Sequence, residues 1–322
     1  MTTVLPPLKV LLAAPRGFCA GVERAIKAVE DAIEHTNRPV YVRHQIVHNE
    51  QVVRHLEAKG AVFVDRLSDI PDGAIAIFSA HGVSRVVEEE AAGRKLDVLD
   101  ATCPLVRRVH LEARRHVQAG REVILIGHRD HVEVEGILGQ VDGTVHVIFG
   151  PDEVEALEVS DPNDVAYVTQ TTLSVDDTRQ VIAALRARFP GIQGPDTKTI
   201  CYATHNRQLA VKVIAQHADR FIVCGARNSS NTNRLCEVAA KSGLPALLMQ
   251  CPSDLTLSFV DGAAVIGLTS GASAPEEMIR QALEQLSHWR SVTVEEVRVT
   301  EEGTRFAPVD LSKFSTHLES AS

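Results

Sequence analysis

The chain is expected to fold as an α/β protein of mostly parallel, buried strands alternating with helices, and three observations lead there. Short runs of Val, Ile, Leu and Ala recur that are apolar on both faces, as strands covered on both sides of a sheet must be. The sequence between them places apolar residues three or four apart, the period of an amphipathic helix. Five of the runs lead into polar stretches of small residues, the composition of a turn at a strand end.

Taken in order, the strand candidates are "KVLLAA" (9–14), "PVYVR" (39–43), "AIAIFSA" (74–80), "DVLDA" (97–101), "EVILIG" (122–127), "DVAYVTQ" (164–170), "FIVCG" (221–225), "PALLMQ" (245–250) and "AAVIGL" (263–268). Between the first two, "AGVERAIKAVEDAIEH" aligns Val22, Ile26, Val29 and Ile33 on one helical face. A second helix is expected in "SVDDTRQVIAALRARFPGI", with Ser174 as N-cap, acids in its first turn, and Pro190 and Gly191 as its stop.

At 322 residues and 44% hydrophobic content the chain can bury a core large enough for two or three domains. A formal net charge of -9 argues against general nucleic-acid affinity and gives no reason to invoke a membrane surface. Small molecules are the expected partners, and the basic cluster "RRVHLEARRH" (107–116) is expected to be a solvated helix face. The N-terminal stretch lacks a basic region and is too short and proline-broken for a signal peptide or membrane span, so a cytoplasmic location is expected. The six cysteines are then expected to be reduced, with metal binding open to some of them.

Cys19, Cys103 and Cys201 each stand after an apolar segment beside a turn former, in "PRGFCAG", "DATCPL" and "TICYAT". Their wide spacing is that of three similar lobes each giving one thiolate to a common centre, although no CxxC pattern marks a metal site. Cys224 and Cys236 read as small buried hydrophobes, whereas Cys251, in "MQCPS", resembles Cys103 in context and is not separated from the ligand candidates by residue type alone. In doubly wound sheets ligands bind beyond the carboxyl ends of the strands, where helix N-termini favour anions. His48, His81, His131, Thr171, Thr172, Ser229, Ser230, Asn231 and Ser273 all fall at such ends, and all can donate hydrogen bonds to phosphate oxygen. No Walker loop and no GxGxxG is present, so the expected guest is a phosphorylated small molecule rather than a nucleotide. In "HRDHVEVEG" (128–136) an extended course is expected to put His131, Glu133 and Glu135 on one side, with a carboxyl raised in pKa and suited to donate a proton.

The stretches "PRGFCAGVERAI", "YVRHQIVHN", "FSAHGVS", "DATCPLV", "HVEVEG", "TQTTLSVDDT", "ICYATHNRQ", "RNSSNTNRL" and "SGASAP", in this order from about residue 10 to 290, resemble the 4-hydroxy-3-methylbut-2-enyl diphosphate (HMBPP) reductase family of the methylerythritol phosphate route to isoprenoids. The resemblance implies three α/β lobes around a central cavity, here over 14–103, 104–200 and 201–288, with the strand in 1–13 joining the third and a C-terminal tail at 289–322. It implies a 4Fe-4S cluster on Cys19, Cys103 and Cys201, excluding Cys251 and leaving one iron without a protein ligand. The substrate's hydroxyl is then expected at that iron, with its diphosphate on His48, His81, His131, Ser229, Ser230, Asn231 and Ser273, and Thr171 and Thr172 are also expected to bind the substrate. Glu133, Thr171 and His131 are the implied catalytic residues, Glu133 delivering protons and Thr171 orienting the hydroxyl; ferredoxin or flavodoxin is the implied electron donor. Asp130 and Val132 depart from the family's Gly and Pro in that loop, and the tail follows the family pattern only loosely. A non-redox iron-sulfur hydro-lyase and an iron-sulfur sensor are the alternatives that electron demand and product formation separate from a reductase.

Overall fold

The computed structural model of the chain describes residues 6–195 and 200–312. The strands are β1 (Leu8–Ala14), β2 (Val40–Arg43), β3 (Ala61–Val64), β4 (Ile75–Phe78), β5 (Asp97–Asp100), β6 (Glu122–Ile126), β7 (Val145–Ile148), β8 (Val165–Thr169), β9 (Arg220–Cys224), β10 (Ala246–Met249), β11 (Val265–Ser270) and β12 (Val292–Arg298). The helices are α1 (Ala20–His35), α2 (Glu50–Lys59), α3 (Arg85–Gly93), α4 (Pro104–Gln118), α5 (Val132–Leu138), α6 (Asp152–Glu155), α7 (Val175–Arg188), α8 (Tyr202–Ala215), α9 (Ser230–Lys241), α10 (Leu257–Val260) and α11 (Glu276–Trp289). They form three sheets, ordered β10-β9-β11-β1-β12, β3-β2-β4-β5 and β7-β6-β8. Every pairing between these strands is parallel.

The described residues divide into two compact units, one of 6–19, 172–175 and 201–304, the other of 20–171, 176–195 with 200, and 305–312. The first unit contains the five-stranded sheet, which is covered on both faces. Leu8, Val10, Leu12, Ile222 and Ile266 pack on one side with Ile279 and Leu286 of α11. Leu11, Ala13, Phe221 and Val223 pack on the other with Val211 and Ile214 of α8 and Leu235 of α9. Period-two alternation thus carries apolar groups to both faces, and each fully buried Leu, Ile or Phe contributes about 2 kcal/mol. Cys224, at 0% exposure, belongs to the first of these clusters.

The second unit contains the other two sheets. Its core includes Val109 and Ala113 of α4 with Val123, Leu125, Val134, Ile137 and Val168. Asn49 caps α2 by accepting from Gln51 and Val52 N-H at 3.0 and 3.3 Å, and Gly60, at φ 111°, ends that helix in the left-handed conformation.

Three strands were not among the sequence candidates: β3 "AVFV", β7 "VHVI" and β12 "VTVEEVR". The first two are four-residue edge strands. β12 lies at an edge of its sheet and exposes most of its side chains, so its pattern lacks a two-sided apolar run. The extended course expected for 128–136 is corrected, because α5 begins at Val132. The imidazole of His131 caps it, Nδ1 accepting from Glu133 N-H at 3.1 Å. In a helix, residues two apart point to different faces. Glu133 is accordingly buried at 2% exposure while Glu135 is exposed.

Candidate active site

In the second unit the residues singled out from sequence lie just beyond strand C-termini: His48 after β2, His81 after β4, Cys103 after β5, His131 and Glu133 after β6, and Thr171 after β8. Parallel sheets bring these ends to one edge, where the connecting turns supply polar groups.

The three imidazoles form a cluster. His48 stacks on His81 with ring centroids 4.1 Å apart, and His131 stands edge-on to both, at 5.3 Å from His48 and 6.1 Å from His81. Burial and mutual repulsion disfavour their charged forms. His48 is pushed down to about 4 by burial and then by His44, His131 to about 3 by burial and then by His48 and His128, and His81 well below its ordinary value by burial and its histidine neighbours. The unliganded cluster is therefore neutral at pH 7. Because Nδ1 of His131 accepts from the α5 backbone, its proton sits on Nε2, a buried donor without a partner among the described residues. An uncompensated buried donor fits an anionic guest.

Glu133 faces Thr171. One carboxylate oxygen accepts from Thr171 N-H at 2.8 Å and the other from its hydroxyl at 2.9 Å. These bonds favour the carboxylate, but burial outweighs them and pushes the group up to about 7. Burial by itself is enough to produce the raised value expected from sequence.

The first unit holds the remaining candidates. Ser229 caps α9 by accepting from Thr232 N-H at 3.3 Å, and the Ser273 hydroxyl donates to Ser229 Oγ at 3.3 Å. Thr172 Oγ1 donates to Ser230 Oγ at 3.0 Å. This hydroxyl group stands at the N-terminus of α9, where free N-H groups and the helix dipole favour an anion. Asn231 is engaged within the protein: its Oδ1 accepts from Ala272 N-H at 2.8 Å and its Nδ2 donates to Thr204 Oγ1 at 3.3 Å. It therefore orders the loop that carries Ser273.

Cys19 and Cys201 belong to the first unit and Cys103 to the second. Cys19 directly precedes α1, Cys103 is the N-cap of α4 and Cys201 the N-cap of α8. A helix N-terminus stabilises a thiolate. The Cys201 sulfur accepts from Thr204 N-H at 3.3 Å, yet burial, and then Cys19, push its thiol up to about 11. Burial and the neighbouring Cys19 both disfavour the Cys201 thiolate, and the charge of a bound metal would favour it instead. Cys224, in the core, and Cys251, exposed and bonded to Ser253, stand apart from this arrangement.

Sequence reasoning passed over two buried groups near these residues. Arg207, at 0% exposure, occupies the buried stripe of α8, and a charged residue at apolar spacing was the signal available. His110, at 4% exposure on α4, packs against Gly82, where a Cβ would lie 2.6 Å from its ring. Nothing in the sequence pairs those two residues.

A LytB protein family model matches residues 10–287. The chain is 51% identical over 299 residues to 4-hydroxy-3-methylbut-2-enyl diphosphate reductase of Zymomonas mobilis, an alignment covering 93% of this chain and 88% of the relative. With the Methylococcus capsulatus reductase the identity is 50% over 312 residues, covering 96% and 100%. The solved reductase of Plasmodium falciparum superposes with a TM-score of 0.92 at 36% identity, covering 99% of this chain and all of that one. With the family match spanning most of the chain, half of the positions shared with these relatives and the parallel-sheet fold in common, the chain belongs to the LytB family of 4-hydroxy-3-methylbut-2-enyl diphosphate reductases.

Proposed function

We propose that this chain reductively dehydroxylates HMBPP to isopentenyl and dimethylallyl diphosphate, with Cys19, Cys103 and Cys201 holding a 4Fe-4S cluster that leaves one iron open. Its family uses an iron-sulfur cluster. When bound, that group supplies electrons one at a time and a Lewis-acidic position for the substrate's hydroxyl. The reaction consumes two electrons and two protons: the C-O bond breaks, one proton leaves with oxygen as water, and the other is delivered to carbon at either end of the allyl unit.

The single observation that carries the reading is the buried Glu133–Thr171 pair, because it provides an acid still half protonated near pH 7. Glu133 holds the proton and Thr171 passes it on through its hydroxyl. His48, His81 and His131 take the diphosphate together with Thr172, Ser229, Ser230 and Ser273, and Asn231 keeps the last of these in place. Binding the anion offsets the repulsion within the histidine cluster, so the imidazoles ionise as it enters.

The lobes are proposed at 14–103, 104–200 and 201–288, with 1–13 joining the third and 289–322 as a tail that the structure describes to Ser312. Among the described residues no helix is long and apolar enough to cross a membrane. We place the enzyme in the cytoplasm, with ferredoxin or flavodoxin as donor.

The test is oxidation of reduced methyl viologen on adding HMBPP to protein handled without oxygen. Substrate-dependent oxidation with both five-carbon diphosphates is expected. No oxidation by protein with a full cluster would refute the reductase, and turnover without any reductant would indicate a hydro-lyase.

A further inference from the structure

We infer that Arg207 is a positioning residue for the iron-sulfur site, clamping the loop that ends in Cys19 to the first turn of the helix that begins at Cys201, and that Glu302 locks this clamp. The inference rests on the proposed reading of Cys19 and Cys201 as cluster ligands.

The guanidinium of Arg207 is fully buried, on a stripe of α8 that includes Ala203, Thr204, Gln208, Ala210, Val211 and Ile214. An apolar side chain would serve helix packing better, since a buried charge is costly unless its donors are used. Here they are used, and chiefly on the two cysteine-bearing segments. Nε and Nη2 donate to the Gly17 carbonyl at 3.1 and 2.8 Å, and Nη2 reaches the Phe18 carbonyl at 3.3 Å. Nη1 donates to the Ala203 carbonyl at 3.0 Å, within the first turn after Cys201. Gly17 makes this possible with a φ of 65°, a turn that L side chains rarely adopt and that leads the chain straight into Cys19.

The counter-charge comes from the C-terminal segment. Glu302 accepts from Nη1 of Arg207 at 3.0 and 3.3 Å and from Nδ2 of Asn206 at 3.0 Å. The strand leading to it is secured where Val299 N-H donates to the Ala14 carbonyl at 2.9 Å, at the end of β1. One carboxylate from the end of the chain thus neutralises the group that spans both cysteine segments. A lysine would supply three donors at a single point and lacks the planar fork that reaches Gly17 and Ala203 together.

Groups that orient metal ligands typically govern metal retention by about 10- to 100-fold. Arg207→Lys, Arg207→Met, Glu302→Gln and Cys19→Ser variants of the full chain, reconstituted without oxygen, are compared by iron and sulfide content and by the rate of cluster loss to a chelator. Far-UV circular dichroism of the cluster-free forms monitors folding. Arg207→Met is expected to lose its cluster at least about tenfold faster than the parent, with Arg207→Lys and Glu302→Gln between the two. If Arg207→Met fails to fold, the two conservative variants decide the matter. Parental rates of cluster loss in both would overturn the clamp. Full, stable cluster content in Cys19→Ser would instead overturn the ligand reading on which the clamp depends.

Discussion

Replacing Glu133 by Gln removes an ionisation that the fold resists, and the size of the effect follows from burial. The carboxyl is raised from its ordinary 4.5 to about 7, so keeping it ionised in the folded chain costs about 3 kcal/mol. Because the folded value lies above the unfolded one, the folded chain holds the extra proton in this interval. Its contribution to stability is complete below pH 4.5 and is lost as pH rises through 7. His48 and His131 act in the opposite sense, costing stability as pH falls from 6.5 toward about 4 and about 3, but they are common to parent and variant and cancel in the difference. Urea unfolding of the cluster-free parent and Glu133→Gln at pH 5 and pH 8 is expected to show the variant gaining on the parent by about 2.5 kcal/mol over that range, since part of the full cost is already present at pH 5. Parental kcat is expected to fall about tenfold per pH unit well above 7, while the variant loses about 10²- to 10⁴-fold and keeps its cluster spectrum. A stability difference that stays constant with pH, or parental turnover in the variant, would refute a buried, protonated Glu133 as the acid.

The histidine cluster is expected to bind inorganic diphosphate with net proton uptake, and affinity should rise by up to about tenfold per unit fall in pH for each imidazole that ionises. Calorimetry in buffers of different ionisation enthalpy measures this, and no proton uptake would exclude the neutral cluster. Gly82→Ala is expected to cost about 1–3 kcal/mol, because its Cβ would meet His110 Cε1 at 2.6 Å in a backbone with φ 80°. The added loss in the His110→Ala background should be smaller, as a double-mutant cycle on thermal midpoints will show, and strict additivity would remove the contact from the explanation.

Much of the architecture was legible because its signals are local. "EVILIG" and "DVAYV" are apolar on both faces, which only a sheet covered on both sides accommodates, and they became β6 and β8. The helix expected from Ser174 to Pro190 is α7, Val175–Arg188, for the same reason. Hydroxyls and imidazoles at strand ends could be named in advance, since strand ends are where connecting turns present polar groups. β12 was not legible, because an edge strand has an exposed face and its "VTVEEVR" reads as surface chain.

Residue type and order along the chain are sufficient to determine the α/β class and the family, and to pick out the imidazoles, hydroxyls and cysteines that stand at strand ends and helix starts. Tertiary structure decides the rest, because burial and long-range pairing are properties of no single segment. It turned "HVEVEG" into a helix capped by His131, sending Glu133 inward and Glu135 outward. It joined β1 to β11 and β12 from the far end of the chain. It placed Arg207 against the Gly17 carbonyl and raised Glu133 to about 7, a value that depends on how completely the fold removes water from one carboxyl.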